Sequence, residues 1–134
     1  LLAYDDALMP APRHTFLRAW LEQPDIVALT ALVDGRITGY TVVRPCRVRY
    51  KFGPLFGDDG ATADALFRAA SARLPAGTTI YLDAPGANPV AHALARRYGM
   101  TPGFQTARMY RTMPGSFVAP PLERWFGVTS FELG

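Results

Sequence analysis

Asp83 closes the apolar run TTIYL, Tyr81 stands two residues before it, and Asn88-Pro89 follow at the next corner. A period of two puts Tyr81 and Asp83 on one face of a strand. A carboxylate beside a phenol is equipment for holding or moving a proton. Asparagine accepts hydrogen bonds from the first N–H groups of a helix, and proline suits the first helical position. ANPVAHALARRYG therefore predicts a helix capped by Asn88 and stopped by Gly99, with Ala91, Leu94, Ala95 and Tyr98 as its apolar stripe. A second group, Arg47, Arg49 and Lys51, alternates with Val48, Tyr50 and Phe52. That alternation predicts a strand with one basic and one apolar face, suited to phosphates, to an acidic acceptor or simply to water. Asp58 and Asp59 precede an alanine-rich stretch, where aspartates cap a helix and complement its dipole.

Other chemistries are poorly served. Cys46 is the single cysteine, so no internal disulfide forms; a cytoplasmic location and an unreactive thiol are expected. His14 and His92 fall in separate predicted helices without ligands at suitable spacing, so no metal site is expected. Net charge is +3, too mild for a nucleic-acid binder without motif support. No apolar run reaches the roughly 20 residues that cross a bilayer, so no membrane partner is expected. The start LLAYDDALMP has neither an initiator methionine nor a basic leader. The 134 residues are thus expected to form one domain, residues 1–134, at the C-terminal end of a longer chain.

The elements that must position these residues follow from periodicity. RHTFLRAWLEQP predicts a short amphipathic helix ended by Pro24. Asp34-Gly35, between two β-branched runs, predicts a hairpin. RVRYKFGPLFG predicts a third strand opened by a bulge or splay at Gly53-Pro54. DDGATADALFRAASARLPAG predicts a helix with the stripe Ala63, Leu66, Phe67, Ala70 and Leu74. GFQTARMYR and WFGVTSFELG both predict strands near the end. The order is α/β, one mixed sheet covered by helices.

This order, with Asn88, Ala91, Leu94, Gly99 and Met100 in their spacing, resembles the GCN5-related N-acetyltransferases (GNAT). RPCRVRYKFGPLF, DAPGANPVAHALARRYGM, FQTARMY and FGVTSFELG resemble more narrowly the second acetyltransferase-like domain of bacterial tandem proteins of this family. The resemblance implies a mixed, mostly antiparallel sheet with flanking helices and a splay between the strands ending near Phe56 and Asp83. It implies acetyl-CoA as cofactor, with its pantetheine in the splay against Leu55, Phe56 and Asn88. The family's phosphate loop falls on residues 58–63, so Ala61, Thr62 and Ala63 become cofactor-binding candidates. Asp58 and Asp59 replace that loop's usual arginine or glutamine and its neighbour, and two carboxylates repel a pyrophosphate. Ala95 takes the place of the tyrosine that protonates the leaving thiolate, and Tyr98 is read as a core residue with its hydroxyl at the edge.

Among the remaining groups, Asp83 or Glu132 is the candidate catalytic base, and Tyr81, Arg108 and Tyr110 the candidate acceptor pocket. Two functions follow. One is acetyl transfer from acetyl-CoA to the primary amine of a small molecule. The other is a non-catalytic domain of the same fold that binds no acetyl-CoA, packs on an upstream catalytic domain of the same chain and helps form its acceptor pocket.

Overall fold

The computed structural model describes residues 1–109 and 119–131. Two helices lead, α1 (Leu2–Asp6) and α2 (His14–Leu21). Three antiparallel strands follow, β1 (Val27–Val33), β2 (Arg36–Cys46) and β3 (Arg49–Gly57). Then come α3 (Gly60–Ser71), β4 (Ile80–Leu82), α4 (Pro89–Arg97), a 3-10 turn (Leu122–Arg124) and β5 (Trp125–Gly127). Helix α1 and the 3-10 turn are short elements the periodicity did not anticipate.

Asp34 and Gly35 both take positive φ, 49° and 75°, and turn β1 into β2. A tight hairpin of right-twisted strands requires that pair, and glycine adopts it without steric cost. The next hairpin corrects one expectation. Arg47 and Val48 form the turn itself, with Cys46 paired to Arg49, so Arg47 is not on the strand. The expected continuous basic face is therefore shorter: Arg49 is exposed, and Lys51 turns to an ion pair described below.

The bulge expected at Gly53-Pro54 is present. Thr41 pairs with Leu55 and Val43 with Phe52, so β3 advances three residues where β2 advances two. Thr41 Oγ1 donates to the Pro54 carbonyl at 2.8 Å, which satisfies a group the bulge would orphan.

The sheet separates two cores. Helices α3 and α4 cover one face with Phe52, Leu55, Leu66, Phe67 and Leu94. Helices α1 and α2 cover the other with Leu8, Leu17, Tyr40, Val42 and Phe56. Consecutive residues of β5 enter opposite cores, Trp125 among the second group and Phe126 among the first. Successive strand side chains point to opposite faces, so three residues of β5 join both layers. Trp125 is fully buried, its ring 5.4 Å from Phe56.

The C-terminal region departs from expectation twice. Residues 103–109, expected as a strand, have no regular structure, and residues 110–111 of that stretch lie outside the described ones. The last strand is confined to Trp125–Gly127 instead of running on. A strand exists only where a neighbour completes its ladder, and within the described residues the free edge of β3 is already taken by β4 and β5.

Close approach is sharpest at Gly53, where a Cβ would lie 2.2 Å from the Thr129 carbonyl oxygen. Backbone cannot yield as a flexible side chain can. Gly53→Ala is expected to destabilise the domain by about 2–3 kcal/mol, as overpacking of an interior does. Urea denaturation followed by circular dichroism measures it. A loss under 0.5 kcal/mol would mean the contact is not close.

Candidate active site

The splay is real. Strands β3 and β4 run parallel through Tyr50–Ile80, Lys51–Tyr81 and Phe52–Leu82, and their pairing ends there. The gap beyond is filled by the chain itself. Strand β5 pairs antiparallel with the upper part of β3, Leu55 opposite Gly127 and Phe56 opposite Trp125. On the other lip, the Val128 N–H donates to the Asp83 carbonyl at 3.0 Å. Residues 125–130 are all buried and form a strap across both lips.

Asn88 is the hub of that strap. Its side-chain oxygen accepts from the N–H groups of Val90 and Ala91 at 3.0 and 3.1 Å, which is the expected cap of α4. Its amide nitrogen faces three strap carbonyls: Leu122 and Glu123 at 3.2 Å, and Trp125 at 2.8 Å. At 1% exposure the side chain is inside the protein, and every polar atom it carries is engaged.

The residues at the phosphate-loop positions are similarly committed. Asp58 accepts from Tyr4 Oη at 2.9 Å and from Arg124 Nη2 at 2.5 Å, just ahead of β5. Burial, and then the hydrogen bond to Asp58, push the Tyr4 phenol up to about 12, so it stays a donor. Asp59 caps α3 by accepting from the Thr62 N–H at 2.7 Å, and the Ala63 N–H bonds to the Asp59 carbonyl. The Thr62 and Ala63 amides of α3 are thus satisfied internally. Ala63 is buried; Ala61 is exposed at a shallow groove of about 390 Å³ between α3 and α4, with Asp64, Arg68, Val90 and Arg97. The two helix starts meet closely, since a Cβ on Gly60 would lie 2.9 Å from Val90 Cγ1.

The Thr62 N–H bond holds the Asp59 carboxyl below its ordinary range. The group favours folding above its unfolded value near ~4, and that contribution is lost as pH falls through the lower folded value. Asp59→Ala is expected to cost about 1 kcal/mol at pH 7 and less as pH falls through the lowered folded value, whereas Asp59→Asn keeps the cap. Thermal melts across pH test this; a pH-independent loss would contradict it.

Of the acid and base candidates, Asp83 is paired with Lys51 Nζ at 2.5 Å, both largely buried. Lys51 also sits 5.0 Å from the Phe131 ring centroid, and Tyr81, on the same face, is 45% exposed. The structure brings Asp83, Tyr81 and Lys51 together at the mouth of the splay. Arg108 is elsewhere, its guanidinium 4.9 Å from the Trp125 ring centroid. Tyr110 and Glu132 lie outside the described residues. Ala95 is half-buried with no proton to give. Tyr98 is more exposed than a core residue, at 38%; its ring lies against Phe67 at 4.7 Å and its hydroxyl donates to Asp64.

A buried polar cluster on the α1/α2 side was not legible in the sequence. Arg13 grips both oxygens of Asp5 at 2.8 Å, and Asp5 is fully buried. Tyr40 donates to Asp5 at 2.5 Å, and Arg13 Nη1 donates to Thr129 of the strap at 2.9 Å. Burial, with the Asp5 charge, pushes the Tyr40 phenol up strongly and keeps it protonated.

Residues 1–117 match the family described as acetyltransferase (GNAT) domain. This chain belongs to that family. It is also 27% identical, over 111 residues, to the holothin acyltransferase of Pseudoalteromonas sp. (strain SANK 73390). That alignment covers 83% of this chain and 38% of the relative, so the chain spans about two fifths of the relative's length. No solved structure matches significantly. No helix among the described residues is long and apolar enough to cross a membrane.

GNAT domains generally use acetyl-CoA, and the fit of this domain to that group is testable on its geometry. The β3 edge at Leu55 and Phe56 is paired to β5, Asn88 is saturated by the strap, and two carboxylates stand at the start of α3. The closed arrangement does not fit the cofactor.

Proposed function

We propose that this domain is the non-catalytic half of a GNAT protein, packing on an upstream catalytic acetyltransferase domain and helping to form its acceptor pocket. The observation that carries the reading is the strap: β5 occupies, along Leu55 and Phe56, the gap in which a working GNAT domain would hold the pantetheine. Asp58 and Asp59 support it electrostatically, because both carboxylates serve the fold where a pyrophosphate would need donors. The longer curated acyltransferase supplies room for a second domain and, in its name, acyl transfer as the reaction class. The acceptor we infer is the primary amine of a small molecule. Exposed Tyr81, beside the largely buried Lys51–Asp83 pair, is the group this domain would lend to it.

The rival reading, a working transferase with Asp83 as base, would need the strap to leave and a separate proton donor for the sulfur. Calorimetric titration with acetyl-CoA separates the two. The proposed role predicts no saturable binding by this chain at millimolar ligand, and one equivalent bound by the protein that includes the upstream domain. Saturable binding by this chain alone would overturn it.

A further inference from the structure

Three cations of this domain lie over an aromatic ring and also hold a carboxylate. Arg13 lies over Phe16 and holds Asp5, Arg124 lies over Tyr4 and holds Asp58, and Lys51 lies over Phe131 and holds Asp83. Arg44 has the ring without the acid. Its guanidinium sits 5.2 Å from the Trp20 ring centroid, and no carboxylate among the described residues lies within ion-pair distance of it. Its Nε is buried and makes no hydrogen bond. A buried donor left without an acceptor costs about 1–3 kcal/mol. The platform beneath it is fixed: Trp20 Nε1 donates to the Gly53 carbonyl at 2.9 Å, and Phe16 stacks on the Trp20 ring at 5.3 Å.

Strand register places Arg44 in a row. It is paired directly with Lys51, and Lys51 with Tyr81, so the three share one sheet face. Like charges directly opposite repel, and the one carboxylate in the row, Asp83, is held by Lys51. Arg49, exposed at the start of β3, adds a further positive charge beside them.

We propose that Arg44 binds an anionic group, a carboxylate or a phosphate, of a small molecule lying along this row. The guanidinium fork meets two oxygens of either group at once, which an ammonium cannot do. Contact with Trp20 holds the guanidinium in place without consuming an N–H···O bond. Arg44 and Tyr81 stand two strands apart, about 10 Å, so a ligand with its anion on Arg44 reaches Tyr81 with its other end. That this molecule is the amine acceptor rests on the functional reading above; the anion site itself does not. The acceptor class is then an amine that also carries an acidic group.

Titration of this chain with inorganic phosphate and, separately, with succinate at constant ionic strength tests the proposal. The NMR signals of the Arg44 Nε–H and the Trp20 indole N–H are expected to shift saturably at millimolar anion, and the tighter of the two names the group. Arg44→Gln is expected to abolish saturation, and Arg44→Lys, which keeps the charge but not the fork, to weaken it about tenfold. Arg73→Gln, at an exposed arginine outside the row, should leave it unchanged. Linear shifts with both anions would overturn the proposal without recourse to any variant. Saturation that survives Arg44→Gln, or a lysine variant as tight as the parent, would also overturn it. Saturable acetyl-CoA binding that persists in Arg44→Gln would overturn the functional reading and leave the anion site standing, so the two failures are distinguishable.

Discussion

Arg13→Leu is expected to destabilise the domain by about 3–5 kcal/mol, the cost of leaving a buried carboxylate without its partner. Asp5 is fully buried, and both its oxygens are held by the Arg13 guanidinium. Removing the arginine leaves Asp5 only the Tyr40 hydroxyl and strips Thr129 of its donor. A domain of this size has roughly 5–15 kcal/mol in all, so the variant should be largely unfolded at modest denaturant. The double variant Asp5→Leu with Arg13→Leu should recover part of the loss, because apolar replacement of a whole buried pair is often close to neutral. Chemical denaturation of the three proteins measures the coupling. Additive losses in the double variant would show that the two residues do not act as a pair.

Asn88→Asp is expected to be worse than Asn88→Ala, although aspartate is an equally good helix cap. Alanine loses the cap and leaves strap carbonyls unsatisfied, about 2–4 kcal/mol together. Aspartate keeps the bonds from the Val90 and Ala91 N–H groups but turns an ionised oxygen toward the carbonyls of Leu122, Glu123 and Trp125. An acceptor facing acceptors in a buried site repels them, and we expect a loss of at least about 4 kcal/mol at neutral pH. Acid should relieve part of it, since a protonated carboxyl can donate one hydrogen bond. If Asn88→Asp is as stable as the parent, the residue is only a cap, and the strap is held by other means.

Much of the architecture follows from local signals. Asp34-Gly35 fixed its turn because only a few residues tolerate two positive φ angles in succession. Asn88-Pro89 and Asp59 marked their helix starts because cap chemistry operates within three residues. Gly53-Pro54 announced the bulge through what glycine and proline cannot do in a ladder. What stayed hidden is long-range. Arg13 and Thr129 are 116 residues apart, and no spacing rule links them. Asn88 was legible as a cap, but its second role depends on carbonyls 34 to 37 residues away. Residues 103–109 show the converse: a strand pattern reports what a segment can pair with, and only a neighbouring edge decides whether it does.

The central claim is that the strap, and not a cofactor, occupies the splay. Amide exchange of Leu55, Phe56 and residues 125–130, with and without millimolar acetyl-CoA, tests it most directly. Slow exchange at all of these positions, unchanged by acetyl-CoA, is the predicted result. Faster exchange along 125–130 when acetyl-CoA is added, with Leu55 and Phe56 remaining protected, would mean that the cofactor displaces the strap and would contradict the claim.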